Sequence, residues 1–179
     1  MHRYLLAAAM LVVLASPATA QPPQPYAGME IRVIKALSAQ QIADLKAGRG
    51  MGLALAAELN GYPGPRHTLD LADQLSLSGE QRTSVQRLFD DMTAEATQLG
   101  ERLIQQEAQL DRLFAERTAS FEALNAATAA IGETQGALRQ VHLKYHLLTT
   151  PLLTPRQVRR YAELRGYGGS GHHGHHPRH

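Results

Sequence analysis

Apolar side chains recur at alternating spacings of three and four residues through the middle of this 179-residue chain. The first stripe, interrupted only at Gln106, lies within residues 78–116 and comprises Val85, Phe89, Met92, Ala96, Leu99, Leu103, Leu110 and Leu113. The second lies within residues 119–150 and comprises Phe121, Leu124, Thr128, Ile131, Gln135, Leu138, His142 and Tyr145. This periodicity is typical of amphipathic α-helices. Because one short polar stretch separates the stripes, we predict that two long helices pack as an antiparallel hairpin.

A five-residue motif with leucine first, a hydroxyl residue second and glutamine fifth occurs three times, at residues 37–41, 77–81 and 153–157. A serine or threonine at the N-cap of a helix accepts a hydrogen bond from the N3 amide, and a glutamine at N3 reaches back to the N-cap amide. Each copy therefore predicts a helix start. The capping residues of the second and third copies are Leu77, Ser78, Gln81, Leu153, Thr154 and Gln157.

The composition between the second and third copies also favours helix. Residues 78–150 contain no proline and few β-branched residues. Short flanking helices are predicted at about residues 38–47, 51–59, 65–75 and 154–164, where they would cover the open end of the hairpin. We therefore predict an all-α fold, a long antiparallel helical hairpin with short flanking helices.

The first 20 residues have the features of a cleavable secretory signal peptide. Arg3 gives a basic start, residues 4–15 are apolar, and an A-x-A site precedes Gln21. The apolar run is too short to span a bilayer, which predicts an exported protein. We divide the remaining chain into a disordered lead-in at 21–28, short helices at 29–64, a helical domain at 65–166 and a histidine-rich disordered tail at 167–179.

Charge and motif content exclude several function classes. Loss of Arg3 with the signal peptide lowers the Lys+Arg count from 18 to 17 against 16 Asp+Glu, a formal net charge of +1, so no nucleic-acid partner is indicated. The chain has no cysteine, hence no disulfide or thiolate metal site. It also lacks the G-x-S-x-G, H-E-x-x-H, P-loop and G-x-G-x-x-G motifs, so we expect neither an enzyme nor a required cofactor.

The signal peptide, the two motifs that bracket the long helices and the histidine-rich tail together resemble the Spy/CpxP superfamily of periplasmic LTxxQ proteins. The resemblance covers about residues 65–166. It implies a thin, curved four-helix cradle, a homodimer, that binds unfolded or aggregating proteins in the periplasm without ATP, and a membrane-bound stress or metal signalling partner. Two departures stand out: the early copies carry serine where the family prefers threonine, and residues 29–61 have no counterpart in the shortest members.

Histidines support a second hypothesis, since the family includes relatives that sense or buffer heavy metals. His142 and His146 stand four residues apart on a predicted helix, so two imidazoles share one face, which suits Zn, Cu, Ni or Co. The resemblance places His67 and a carboxylate, Asp90 or Asp91, near this pair. The alternative is that His142 packs and hydrogen-bonds within the hairpin while His146 is simply exposed. Both interpretations remain open at this stage.

The tail is the most histidine-dense part of the chain. It contains His172, His173, His175, His176 and His179. Five imidazoles within eight residues bind divalent transition metals but discriminate poorly among them. The tail therefore suggests metal buffering or recruitment.

Three classes of function follow. The first is an ATP-independent chaperone or envelope-stress protein, whose working surface would combine apolar groups with Arg82, Arg87, Arg102, Arg112 and Arg139. The second is a heavy-metal sensor or resistance protein that uses the histidine pair and the tail. The third is a structural dimer with no client. We favour the first, with metal binding as a modulating property.

Overall fold

The computed structural model describes residues 24–167, and 67% of them are helical, with no strand in this part of the chain. This confirms the all-α prediction. The helices are α1 (Ala39–Lys46), α2 (Leu55–Glu58), α3 (Pro65–Asp70), α4 (Gly79–Ala115), α5 (Phe121–Thr149) and α6 (Pro155–Leu164), with a 3-10 helix at Thr150–Leu152. The predicted signal peptide, residues 21–23 of the lead-in and all of the tail after Tyr167 lie outside the described residues. The rest of the lead-in, residues 24–28, consists mainly of turns.

All three motif copies form capping boxes at helix starts. Ser38, Ser78 and Thr154 each accept a hydrogen bond from the N3 amide of the helix that follows. In each box the N3 glutamine accepts in return from the N-cap amide, at 2.8 Å for Gln41, 3.0 Å for Gln81 and 2.8 Å for Gln157. The starts of α1, α4 and α6 are therefore set by local sequence.

The two long helices contact each other through a shared core and polar pairs. Lys144 Nζ of α5 donates to both carboxylate oxygens of Glu95 in α4, at 2.7 and 2.8 Å. Tyr145 donates its hydroxyl hydrogen to the same carboxylate at 2.8 Å. Nearer the start of α4, Gln81 bonds to Leu152 just beyond the end of α5. The beginning of α4 thus lies beside the end of α5.

The predicted stripes describe these helices only in part. Buried positions in α4 are Val85, Met92, Ala96, Gly100 and Leu103, and in α5 they are Ile131, Thr134, Leu138, Val141, His142, Tyr145, His146 and Thr149. Phe121, Thr128 and Gln135 are exposed, contrary to the predicted seam. A straight α-helix drifts about 20° per heptad away from a strict seven-residue repeat, so the buried face moves from Gln135 to its neighbour Thr134.

The N-terminal segment crosses the middle of α4 instead of covering the open end of the long helices. Ile34, Leu37 and Leu45 share one hydrophobic core with Met92 and the other buried residues of α4 and α5. The crossing is possible because α4 carries glycine at position 100, where an added Cβ would collide with the carbonyl oxygen of Leu45. The backbone of the N-terminal segment thus packs directly on the backbone of α4.

Two of the short helices are shorter than predicted. The helix expected at 51–59 begins only at Leu55, because Met51 and Gly52 have φ values of 42° and 81° and form a turn. The helix expected at 65–75 ends at Asp70 and is followed by turns, with Ser76 at φ 51°. Left-handed backbone of this kind cannot continue an α-helix.

The glutamines of the second and third motifs do more than cap their helices. Gln81 Nε2 donates to Gln157 Oε1 and Gln157 Nε2 donates to Gln81 Oε1, both at 3.0 Å. Gln81 Nε2 also donates to the carbonyl of Leu152 at 2.8 Å, and Gln157 Nε2 donates to that of Leu75 at 3.2 Å. The motif leucines, Leu77 and Leu153, are buried together in one cluster beside this pair. We call this reciprocal arrangement the glutamine clasp.

The clasp predicts that Gln81→Glu destabilises the fold although a glutamate still completes a capping box. Glutamate cannot donate, so the carbonyl of Leu152 loses its partner and a carboxylate faces the amide oxygen of Gln157. We expect a loss of about 1–3 kcal/mol in the free energy of unfolding by urea denaturation. The matched control is Gln41→Glu, which keeps the same box at an exposed site outside the clasp and should change stability by less than about 0.5 kcal/mol. Equal effects at the two sites would refute the clasp.

The close crossing at Gly100 predicts opposite effects for two glycine substitutions within the long helices. Gly100→Ala should lower the free energy of unfolding by about 1–3 kcal/mol, because the new methyl group must displace the backbone of Leu45. Gly136→Ala has no atom within 4 Å of the new Cβ and should stabilise the fold by about 0.5–1 kcal/mol through helix propensity. Thermal melts of both variants measure the difference, and a stabilised Gly100→Ala variant would show that the crossing is loose.

Candidate functional site: a histidine pocket

A cavity of about 600 Å³ lies between the N-terminal segment and the long helices. This volume falls within the usual range of small-ligand pockets. Its wall includes the glycine-rich turn at residues 47–52, Phe89 and Met92 of α4, and His142 and His146 of α5. The glycine-rich turn thus encloses the two histidines. We call this cavity the histidine pocket.

His146 is buried, so the expectation that it is simply exposed is wrong. Its Nδ1 lies 2.6 Å from the carbonyl oxygen of Tyr62. A carbonyl can only accept, so Nδ1 carries the hydrogen and, in the neutral ring, Nε2 keeps the lone pair. An added Cβ at Gly64 would lie 2.6 Å from this Nε2. Glycine at position 64 therefore leaves room for this side of the imidazole ring.

His142 is also buried, with 3% of its surface exposed. Its Nε2 has no hydrogen-bond partner among residues 24–167, and its ring faces Gly50, where an added Cβ would lie 3.5 Å from Nδ1. Burial, followed by the nearby His146, lowers the pKa of His142 below its usual value. His142 is thus a packed residue of α5 that lacks a hydrogen bond at Nε2. Hydrogen-bonding capacity of this kind is rarely left unused in a buried side chain.

A buried carboxylate, missed at the sequence level, closes one side of the pocket. Glu58 accepts from the hydroxyl of Tyr161 at 2.7 and 2.9 Å, from Arg165 Nε at 3.2 Å and from the hydroxyl of Tyr167 at 3.0 Å. Its Oε2 lies 3.7 Å from His146 Nδ1. The available signal was that Glu58 is the one charged residue in the apolar run 51–59. This carboxylate links α2 to α6 and lies beside His146. We call Glu58 with its donors Tyr161, Arg165 and Tyr167 the Glu58 cluster.

The predicted ligands come together only in part. His67 lines the histidine pocket with His142 and His146, and its Nδ1 lies 3.3 Å from Asp70. Asp90 and Asp91 are exposed and do not line the pocket, and Asp90 accepts instead from Gln86. The structure therefore does not bring this predicted carboxylate to the histidine pair, because those positions of α4 face solvent. Within residues 24–167, no group of three or more His, Asp or Glu side chains is placed to hold a metal. The tail histidines lie outside the described residues.

A second candidate surface is the far half of the two long helices. No residue between 104 and 130 is fully buried. Phe114 is 59% exposed and Phe121 is 88% exposed, on either side of the turn that joins α4 to α5. The arginines proposed for a client surface, Arg82, Arg87, Arg102, Arg112 and Arg139, are all exposed. This half, residues 104–130, is called the distal half below.

Comparison with known proteins found no matching family model, no matching curated protein and no matching solved structure. Among the described residues, the helices lack the combination of length and apolar character that crossing a membrane requires.

The lowered pKa of His142 predicts a fold that weakens as the pH falls. The unfolded chain takes up a proton near pH 6.5, while the folded chain resists protonation until a lower pH, so this stability is present above pH 6.5 and is lost below it. One such proton changes the free energy of unfolding by at most about 1.4 kcal/mol per pH unit. A comparison of wild type with a variant of His142 alone leaves the other titratable groups on the pocket wall unchanged. These are Glu58, His67, Asp70, His146 and Arg165.

The measurement is urea denaturation of wild type and His142→Leu at pH 7.5, 6.5 and 5.5. The leucine variant should lose less stability between the first and last values than wild type does. Val141→Ala, at a buried site on the same helix with no titratable side chain, is the control: it should lower stability but keep the wild-type pH dependence. If wild type and His142→Leu lose the same free energy of unfolding between pH 7.5 and 5.5, His142 does not contribute to the pH dependence and the prediction is wrong.

Proposed function

We propose that this protein is a periplasmic, ATP-independent chaperone of the Spy/CpxP type that binds unfolded or aggregating proteins. The observation that carries the proposal is the distal half of the long helices, where Phe114 and Phe121 project into solvent and no side chain is fully buried. Export rests on the predicted signal peptide. The absence of nucleotide-binding motifs from the sequence is consistent with action without an energy source.

Unequal packing along the molecule supports this proposal. The end of the molecule near the motifs is held by the glutamine clasp, the Glu58 cluster and the hydrophobic cluster that contains Leu77 and Leu153. The distal half has apolar side chains next to charged ones, Arg112 and Arg117 among them. Exposed apolar groups of this kind mark interaction sites when they are rimmed by charge. An anchored end would let the distal half contact many sequences without unfolding itself.

The proposed scaffold is a thin helical hairpin that works as a homodimer. A single layer of two long helices leaves much of their surface uncovered within one chain, and isologous pairing would bury part of it. Such a dimer would form the four-helix cradle that the resemblance implies. A membrane-bound stress or metal signalling protein is the further partner we propose.

The chaperone proposal predicts that the mature protein delays aggregation of chemically unfolded clients at about stoichiometric ratios without nucleotide. Phe114→Ser with Phe121→Ser should remove most of this effect while leaving the melting temperature unchanged, since both side chains are exposed. The assay is light scattering of at least three unrelated clients.

The matched control removes two apolar side chains from the other end of the molecule. Leu59 and Leu147 are 58% and 60% exposed, close to the exposure of Phe114. Leu59→Ser with Leu147→Ser should retain activity. If both double variants lose activity equally, or the wild type protects no client, the distal half is not the client surface.

Metal binding is a second candidate function, carried by the geometry of the histidine pocket. Histidines that ligate metals usually donate their other ring N–H to a carbonyl or carboxylate, as His146 does to Tyr62. The unpartnered His142 Nε2 is a second neutral nitrogen on the same helix. Imidazole nitrogens of this kind suit Zn, Cu, Ni or Co. Two imidazoles on one helix would supply part of a metal site, which would modulate the chaperone or serve a heavy-metal sensor.

A further inference from the structure

The histidine pair needs further ligands before it can hold an ion. His142 and His146 are both buried on α5, and both line the histidine pocket. Catalytic zinc sites use three protein ligands and structural ones use four. Between residues 24 and 167, no third His, Asp or Glu side chain joins the pair in a group that could hold a metal. A site built from nitrogen and oxygen ligands alone is therefore incomplete in this part of the chain.

Methionine offers sulfur ligands at the same cavity. Of the five methionines in the chain, two fall within the predicted signal peptide, and the others are Met29, Met51 and Met92. Met51 and Met92 both line the histidine pocket. Two of the three methionines expected in the exported protein thus share one wall with the two buried histidines.

Met92 brings a thioether to the pocket from α4. It is 7% exposed, and it belongs to the same hydrophobic cluster as Val141 and Tyr145. These two residues directly precede the two histidines in α5. A thioether packs among apolar side chains without an unsatisfied polar group, because its sulfur is only a weak hydrogen-bond acceptor. The α4 side of the pocket therefore presents a potential ligand that the core tolerates when no ion is bound.

Met51 has a backbone conformation that packing does not explain. Its φ of 42° is left-handed, and its neighbour Gly50 lies against the ring of His142. Glycine adopts left-handed backbone at lower cost than methionine does. Met51 is 44% exposed, so burial of its side chain offsets little of that cost. Residues held in such conformations cluster at functional sites, and the side chain of this one is a thioether on the pocket wall.

The charges on the wall favour a monovalent ion over a divalent one. Three arginines line the cavity against two carboxylates, and these groups are Arg49, Arg66, Arg165, Glu58 and Asp70. Imidazole and thioether ligands are neutral, so a bound ion keeps its full charge beside this surplus of positive charge. The free-energy cost of taking an ion out of water also rises steeply with its charge. Thioethers are soft ligands that favour Cu(I), and imidazole suits copper as well.

We propose that the histidine pocket is a Cu(I) site in which His142 and His146 supply imidazole nitrogens and Met51 and Met92 supply thioether sulfurs. The inference rests on the metal-binding function proposed above and names the ion that the pocket prefers. His146 binds through Nε2, because its Nδ1 donates to the carbonyl of Tyr62. His142 brings an imidazole whose Nε2 has no hydrogen-bond partner among the described residues. The ion joins the glycine-rich turn to both long helices.

The test measures Cu(I) affinity by competition with a chromophoric Cu(I) chelator, in the absence of oxygen and with a reductant present. The parent protein is the full mature chain with its five tail histidines changed to asparagine, so the tail contributes no imidazole. The thioether variant adds Met51→Leu and Met92→Leu, which remove both sulfurs at nearly constant volume. The matched control is Met29→Leu, at a methionine that does not line the pocket. Zn²⁺ affinity is measured on the same proteins, and circular dichroism checks their fold.

The proposal expects the thioether variant to lose Cu(I) affinity selectively. Loss of an outer-shell partner already costs metal sites about 10–100-fold in affinity, so loss of direct ligands should weaken Cu(I) binding at least tenfold. Met29→Leu should bind Cu(I) as the parent does. Zn²⁺ affinity should change little in either variant, because imidazoles and not thioethers bind Zn²⁺. X-ray absorption of the Cu(I)-loaded parent should show sulfur neighbours that the thioether variant lacks.

Other outcomes separate the Cu(I) site from metal binding in general. A thioether variant that binds Cu(I) as tightly as the parent would overturn the Cu(I) site, and so would equal losses of Cu(I) and Zn²⁺ affinity. If His142→Gln with His146→Gln still lowers Zn²⁺ affinity in that case, the proposed metal-binding function stands without the thioethers. If neither pair of substitutions weakens the binding of either metal, the Cu(I) site and the proposed metal-binding function are both wrong.

Discussion

A pair of amide hydrogen bonds between Gln81 and Gln157 joins the two capping boxes at the base of the long helices. The side-chain oxygen of each glutamine accepts from the N-cap amide of its own helix. Its side-chain nitrogen donates across the clasp to a backbone carbonyl, that of Leu152 for Gln81 and that of Leu75 for Gln157. A glutamate could do the first task but not the second. The same side chains therefore define where α4 and α6 begin and hold these two helix starts together. The Glu58 cluster and the N-terminal segment pack on the helices that the clasp fixes.

From this base the packing weakens along the molecule. Near the motifs, the carboxylate of Glu58 is surrounded by donors from Tyr161, Arg165 and Tyr167. In the middle, the N-terminal segment packs on α4 at Gly100. Between residues 104 and 130 the long helices have no fully buried side chain. Regions with few buried apolar contacts open at low free-energy cost, which would suit the client surface proposed for this half.

The two proposed functions occupy different parts of one molecule. Client binding is assigned to the distal half, and metal binding to the histidine pocket near the base. The N-terminal segment contacts both regions, since its turn at residues 47–52 lines the pocket while Lys35 pairs with Asp111 near the distal half.

The sequence by itself determined the all-α class, the extent of the long helices and all three capped helix starts, because helix periodicity and capping depend on residues close together in the chain. It could not determine that Gln81 and Gln157 meet, that Gly100 permits a backbone crossing, or that Glu58 collects donors from α6, since these pairs are separated by more than fifty residues. It also suggested Asp90 and Asp91 as ligands, which the rotation of α4 places in solvent. The order of residues specifies local hydrogen bonds, but only packing decides which faces of two helices are turned toward each other.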